Sequence, residues 1–148
     1  MDDLDFAAIQ IYTIYFVKFK SAFHDKTLFK IGITTNLDNR IASLKQEFDI
    51  KSHITLLLSI QVRCRELETK LLSIFTDLFS DLKIDFKARD TTKTECFIYD
   101  HKLLEQVHKV KTNYIKQTSG LQLEYRENVT FSRLNPRPVK LQRSQSVI

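Results

Sequence analysis

The chain has 148 residues, 43% of them apolar, which is enough for one domain with a real core and too few for two ordinary domains. Twenty-three lysines and arginines against eighteen acids leave a formal charge of +5, and the pI is near 9.2. This makes an acidic partner the expected kind, nucleic acid first among them. Cys64 and Cys96 show neither paired nor Cys/His metal spacing, which argues against a zinc framework and for free thiols in a reducing compartment.

Two further features bear on location. The start, Met1-Asp2-Asp3-Leu4-Asp5, has the wrong sign for a secretory or mitochondrial leader. The longest apolar run, residues 54–60, is far short of a membrane span and is interrupted by Thr55 and Ser59. An intracellular protein is expected, with no membrane partner; if viral, it would work in the host cytoplasm or nucleus.

In chain order, residues 9–19 are β-branched and aromatic and predict a strand. Residues 20–27 are polar and predict a loop, and residues 28–33 a second strand that pairs with the first as a hairpin. Gly32 stands inside this second strand, where a residue without a side chain marks a bulge or a close approach to the backbone. Thr34, Thr35 and Asn36 offer N-caps. Leu37, Ile41, Leu44 and Phe48 then predict an amphipathic helix. Residues 53–62 predict a third strand. Residues 65–79 predict the clearest helix, with Leu67, Leu71, Ile74 and Leu78 as its core stripe. Residues 81–94 predict an irregular excursion and residues 95–99 a short extended segment. Asp100 predicts the cap of a last helix carrying Leu103, Val107, Val110 and Tyr114, stopped by Ser119-Gly120. Leu121, Leu123 and Tyr125 alternate weakly and suggest a small hairpin with Val129 and Phe131.

This order predicts an α+β domain over residues 9–118, a small, largely antiparallel three-stranded sheet flanked by helices. Residues 119–148 form a C-terminal extension. From Arg133 onward it holds both prolines, four basic residues and no acid, and it is expected to be a disordered basic tail.

Few residues stand out chemically. Glu68 heads the otherwise apolar row Leu72, Phe75, Phe79 at helical spacing. A carboxylate beside buried surface is costly unless a cation or metal is near. Two readings stay open: a site residue, or a rim residue solvated or paired with a lysine. Arg40 lies near the start of the first helix, where a guanidinium fork suits a phosphate, or is simply exposed. Tyr12 and Tyr15 are separated by an odd number and face opposite sides of their strand. Lys30, Gly32 and Thr34 share one face.

The order of these features resembles a family. A tyrosine-bearing strand, a strand carrying Ile-Gly, an arginine on the next helix and a glutamate on the helix after the third strand are similar to the GIY-YIG nuclease superfamily. Thr13-Ile14-Tyr15 stands for its first motif and Lys30-Ile31-Gly32 for its second. The closest likeness is to the phage- and virus-associated branch that writes Lys-Ile-Gly, continues Ile-Thr and carries a Leu-Glu pair, here Leu67-Glu68. Thr94-Glu95-Cys96-Phe97 loosely matches that branch's late Gly-Glu-Trp-Phe string. The departures are Thr13 for a glycine, Lys30 for a second tyrosine, Leu44 for a histidine and Cys96 for a tryptophan.

The resemblance implies a metal-dependent endonuclease acting on phosphodiester bonds, with DNA the expected nucleic acid. Its implied catalytic residues are Tyr15, Lys30, Arg40 and Glu68. Glu68 would be the protein ligand of Mg²⁺ or another divalent cation. Gly32, Thr34 and Tyr12 would line the substrate. A homodimer or a separate specificity partner is implied as well. The alternative is a catalytically impaired module on the same scaffold that binds nucleic acid or protein.

Overall fold

The computed structural model describes residues 10–87 and 93–132. The expected tail from residue 133 lies outside them, as does the middle of the expected excursion. The elements run β1 (Tyr12–Lys20), β2 (Thr27–Thr34), α1 (Leu37–Glu47), β3 (Ile54–Val62), α2 (Glu66–Leu78), β4 (Lys83–Lys87), β5 (Lys93–Ile98), α3 (His101–Gln117) and β6 (Tyr125–Phe131).

The class is α+β, as expected, but the sheet is twice the size. Its six strands lie in the order β4-β5-β2-β1-β3-β6, and every pairing is antiparallel. The three strands expected from sequence form its centre. β4 and β5 arise partly within the stretch read as irregular, and β6 arises in the extension. β6 pairs with β3 from Ile54↔Phe131 to Ile60↔Tyr125 and makes no hairpin of its own.

Helices cover both faces. On one, α1 packs Leu37, Ile41 and Leu44, with Phe48 beyond its end, onto Tyr15, Val17, Leu28, Ile54, Leu56, Val129 and Phe131. On the other, α2 and α3 pack Leu71, Phe75, Leu103, Val107 and Tyr114 onto Ile14, Phe16, Phe29, Ile31, Leu58 and Ile60. The middle of the central strand β1, Ile14 to Val17, is therefore buried on both sides, which explains its unbroken apolar stretch there.

Caps fall where the sequence puts them. The Asn36 side chain accepts from Asn39 N and that of Asp100 from Lys102 N, each satisfying one of the donors a helix start leaves without an intrahelical partner.

The expected stripe of α2 needs correction. Leu71 and Phe75 are buried, with Leu67, Leu72 and Phe79 partly so, while Ile74 and Leu78 are 45% and 55% exposed. The helix is rolled toward its aromatic row. Phe75 stacks on Phe29 with ring centroids 5.7 Å apart and also meets Phe16 and Phe97. Aromatic rings bury more area than Ile or Leu and gain from ring geometry, so they set the roll.

β3 carries one irregularity that shapes the site. Its register with β1 shifts between Phe16↔Leu58 and Val17↔Leu56, which leaves Leu57 as a bulge. Across β6, Asn128 sits opposite with φ +55°, the left-handed region that Asn tolerates. Side-chain alternation flips at this point on both strands. Leu56 and Val129 face α1, whereas Leu58 packs on the α2–α3 side, where Lys111 of α3 reaches Glu127 at 2.7 Å. Ser59, Gln61, Glu124 and Arg126 are thereby turned toward the α1 side, a usual effect of bulges beside sites.

Candidate active site

Tyr15 is the centre of the α1 face. It is 1% exposed and lies opposite Gly32 on β2. A Cβ at position 32 would collide with the Tyr15 ring, at Cζ and at the hydroxyl. The clearance that Gly32 provides is thus filled by a phenol of the same chain. The sequence expectation had given that space to the substrate.

The Tyr15 hydroxyl accepts a hydrogen bond from Arg40 Nε at 3.0 Å. Arg40 is half-buried on the first turns of α1, and its Nη2 lies 3.5 Å from Glu47 Oε1, seven residues along the same helix. Burial raises the Tyr15 pKa, and the Arg40 hydrogen bond and charge only partly offset it. For Arg40, burial works against the charge. The Tyr15 bond and the Glu47 carboxylate outweigh it and hold the proton more firmly than usual. Arg40 is therefore a permanent cation braced on two sides.

Thr34 closes the turn that leads into α1. Its hydroxyl accepts from Asn36 N at 3.0 Å and donates to Asn36 O at 3.2 Å. It fixes where Arg40 starts its helix, which is the role the structure gives its hydroxyl.

Lys30 lies one strand repeat before Gly32 on the same face. Burial lowers its pKa, and the nearby Arg40 charge adds to this, while the charges of Glu47 and Glu68 act in the opposite sense. Cys96 of β5 is fully buried beside it, its thiol pushed up to about 11 chiefly by burial. Such a thiol is inert at neutral pH.

Glu68 is half-buried in the first turn of α2. It approaches from the helix layer on the other side of the sheet. The register of β2 with β5 covers only Leu28↔Ile98 and Phe29↔Phe97, so along the rest of β2 the two strands make no ladder. The Phe75–Phe29 stack holds α2 against this side of β2, and Glu68 lies two turns earlier on the same row. Burial raises the Glu68 pKa, while Lys30 and Arg65 pull it down. Lys30 thus links the two layers: it feels Arg40 from one and Glu68 from the other.

Tyr12 belongs elsewhere. It packs on the α2–α3 side, and Arg65 lies over its ring at 5.4 Å from the centroid. The parity argument predicted this separation from Tyr15. Arg65 ties it to the site, since its charge also acts on Glu68.

Sequence reasoning missed two groups. Glu47 was legible in principle, because Arg40, Leu44 and Glu47 fall on one side of a helix. Ser59, Gln61, Glu124 and Arg126, which line a pocket with Thr13 and Leu37, were not. The only signal was Ser59, a hydroxyl interrupting an apolar run, and it is buried at 3% exposure.

Among the described residues, no group of three or more His, Cys, Asp or Glu side chains forms a ready metal cage. No helix among them is long and apolar enough to cross a membrane. Among the described residues the chain is an α+β domain built on a six-stranded antiparallel sheet. Residues 11–113, more than two thirds of the chain, match the T5orf172 domain, and the chain belongs to this phage-associated family. No curated protein and no solved structure is significantly similar to it. β6 lies beyond the matched stretch.

Proposed function

We infer that the chain is a metal-dependent endonuclease of the GIY-YIG type, hydrolysing phosphodiester bonds in DNA. The observation that carries this reading is the Tyr15–Arg40 hydrogen bond, with the charges of both Arg40 and Glu68 acting on Lys30. Membership of a phage-associated family and the basic charge agree with it.

Glu68 fits Mg²⁺ as a lone carboxylate rather than as part of a cage. This ion keeps several waters and binds through one or two carboxylates plus substrate phosphates. When bound, it would supply positive charge to the phosphate oxygens. Arg40, held through Nε and Nη2, would bind the scissile phosphate with its remaining edge and offset charge developing there. Lys30, with its ammonium depressed by burial, would take up or release a proton at Nζ. Tyr15 would act through Arg40 by holding its orientation.

The test is plasmid nicking with Mg²⁺. Arg40→Ala is expected to lose about 10²–10³-fold in rate, the usual cost of one charge-stabilising donor. Glu68→Ala is expected to abolish nicking while leaving DNA binding in place. Undiminished cleavage by Glu68→Ala would remove the assignment.

One observation favours a second reading, a catalytically impaired nucleic-acid-binding module. Tyr15 is shut away from solvent and its hydroxyl is engaged by Arg40, so it is not placed to activate a water. DNA affinity that falls steeply with salt, without metal-dependent cleavage, selects this reading.

A further inference from the structure

The unbroken apolar stretch of β1 stops at Val17, and Val17-Lys18-Phe19-Lys20 then alternates. Val17 and Phe19 stay in the α1-side core, so alternation sends Lys18 and Lys20 to the opposite face, which α2 and α3 cover further back along the strand. Two lysines on one face of a central strand mark the place where that cover ends. There a pocket of about 340 Å³ brings Lys18 and Lys20 together with Thr27, His53, Thr55 and Tyr99.

The register aims these side chains the same way. Thr27 pairs with Lys20 and Thr55 with Lys18, and residues directly opposite in a ladder share a face. His53 precedes Thr55 by one strand repeat. Tyr99 N donates to Thr27 O at 2.9 Å, and the Tyr99 ring packs at the rim of the α2–α3 core. Lys18 Nζ lies 4.6 Å from the centroid of that ring, which holds the ammonium at the pocket wall.

The donors are available. Among the described residues, Lys18 has the Tyr99 ring as its partner and forms no ion pair with a carboxylate. Neither its ammonium nor the hydroxyls of Thr27, Thr55 and Tyr99 are among the unpartnered polar atoms shut away from solvent. Lys20 Nζ donates one of its three protons to Asp25 O at 2.6 Å, which leaves two. Burial, with the Asp100 charge added, holds the Tyr99 phenol above its ordinary value, so it keeps its proton at neutral pH. The Asp100 carboxylate itself is turned to the start of α3, where it accepts from Lys102 N at 2.9 Å.

The lining selects the ligand. With Ser52 it holds two lysines, a histidine, four hydroxyls and no carboxylate, so it favours an anion, and every polar side chain in it can donate. A flat carboxylate is matched by the fork of an arginine, which this lining lacks. Lysines act as point charges, and hydroxyls from three strands add single bonds from several directions. That arrangement suits a tetrahedral group with several oxygens. The volume falls within the roughly 300–1,000 Å³ of ligand pockets, which leaves room for what carries the group.

We propose that this pocket, with Lys18, Lys20, Thr27, His53, Thr55 and Tyr99, binds a phosphate group carried by a nucleic-acid strand or by a free nucleotide. It is separate from the site around Arg40. Lys18 and Lys20 stand three and five residues beyond Tyr15 on β1, about 10 and 17 Å, and on the other face. The proposal holds whether or not the chain cuts nucleic acid, and binding is measured without metal.

The experiment is an NMR titration of the full chain with inorganic phosphate and, at matched ionic strength, with acetate. Phosphate is expected to move the amides of the pocket residues saturably and to bind about tenfold or more tightly than acetate. Equal binding of the two, or phosphate shifts confined to other residues, would overturn the proposal. Oligothymidylate without a terminal phosphate and thymidine 5′-monophosphate separate the two sources. Whichever moves the pocket amides at the lower concentration identifies the carrier, and failure of both to reach them counts against the proposal. Lys18→Gln combined with Lys20→Gln is expected to lose about tenfold or more in phosphate affinity, the usual scale for hydrogen bonds to a charged group. Lys109→Gln combined with Lys116→Gln removes the same charge from exposed positions of α3 and is expected to change it less than about twofold. An equal loss in both would reduce the effect to net charge and end the assignment. Should the first pair fail to fold, the wild-type titration still decides. Phosphate binding here by a chain that nicks no plasmid removes the hydrolytic reading alone; nicking without phosphate binding at this pocket removes this proposal alone.

Discussion

Gly32 has a stereochemical task. Its missing Cβ admits the Tyr15 ring, and Tyr15 in turn holds Arg40. Gly32→Ala is expected to cost about 1–3 kcal/mol, the usual cost of overpacking a filled core, measured by urea denaturation. The substitution should also disturb the Arg40 side chain, because the ring that must yield is the one it bonds. Lys30 makes a prediction about pH. Its folded-state pKa lies below the ordinary 10.5, so between those two values the unfolded chain binds more protons and stability rises with pH. The destabilisation from burying the ammonium is fully present below the folded pKa and disappears as pH rises toward 10.5. Lys30→Met, nearly the same size, should therefore gain stability at neutral pH, with the gain shrinking as pH rises. Thermal melts of both proteins across this range check it, and a pH-independent difference would count against it.

At the scale of elements, β6 matters most. Val129 and Phe131 are fully buried against Ile54, Leu56 and the end of α1, and α3 holds the same strand through Lys111 and Glu127. The strand in the extension is therefore part of the folded domain rather than an appendage to it. Phe131→Ala is expected to cost about 3–5 kcal/mol, the range for truncating a buried aromatic, and to leave unfolding a single transition. A loss below about 1 kcal/mol, read from the same urea curves, would mean that the strand is only loosely attached. The elements themselves were largely legible. The two tyrosines were placed on opposite faces from parity alone, and both side-chain caps came from Asn36 and Asp100. The roll of α2 was misread because periodicity weighs Ile74 and Phe75 alike. In the folded chain, the phenylalanine has three aromatic neighbours from β1, β2 and β5 to meet.

For the whole molecule, the sequence by itself determined the α+β class with its three central strands and three helices, and through its resemblance it singled out Tyr15, Lys30, Arg40 and Glu68 as candidates. Each of these rests on local signals: alternation, helical spacing, caps and short motifs. Only the tertiary structure decided that the sheet has six strands. It also decided that Tyr15 fills the space left by Gly32 and that Glu47 braces Arg40. The polar pocket beside Tyr15 is likewise a product of the folded sheet. The physical reason is the same in each case. These features depend on which strand lies beside which, and on a single bulge that reverses side-chain direction on two strands far apart in sequence. Local periodicity carries no record of either.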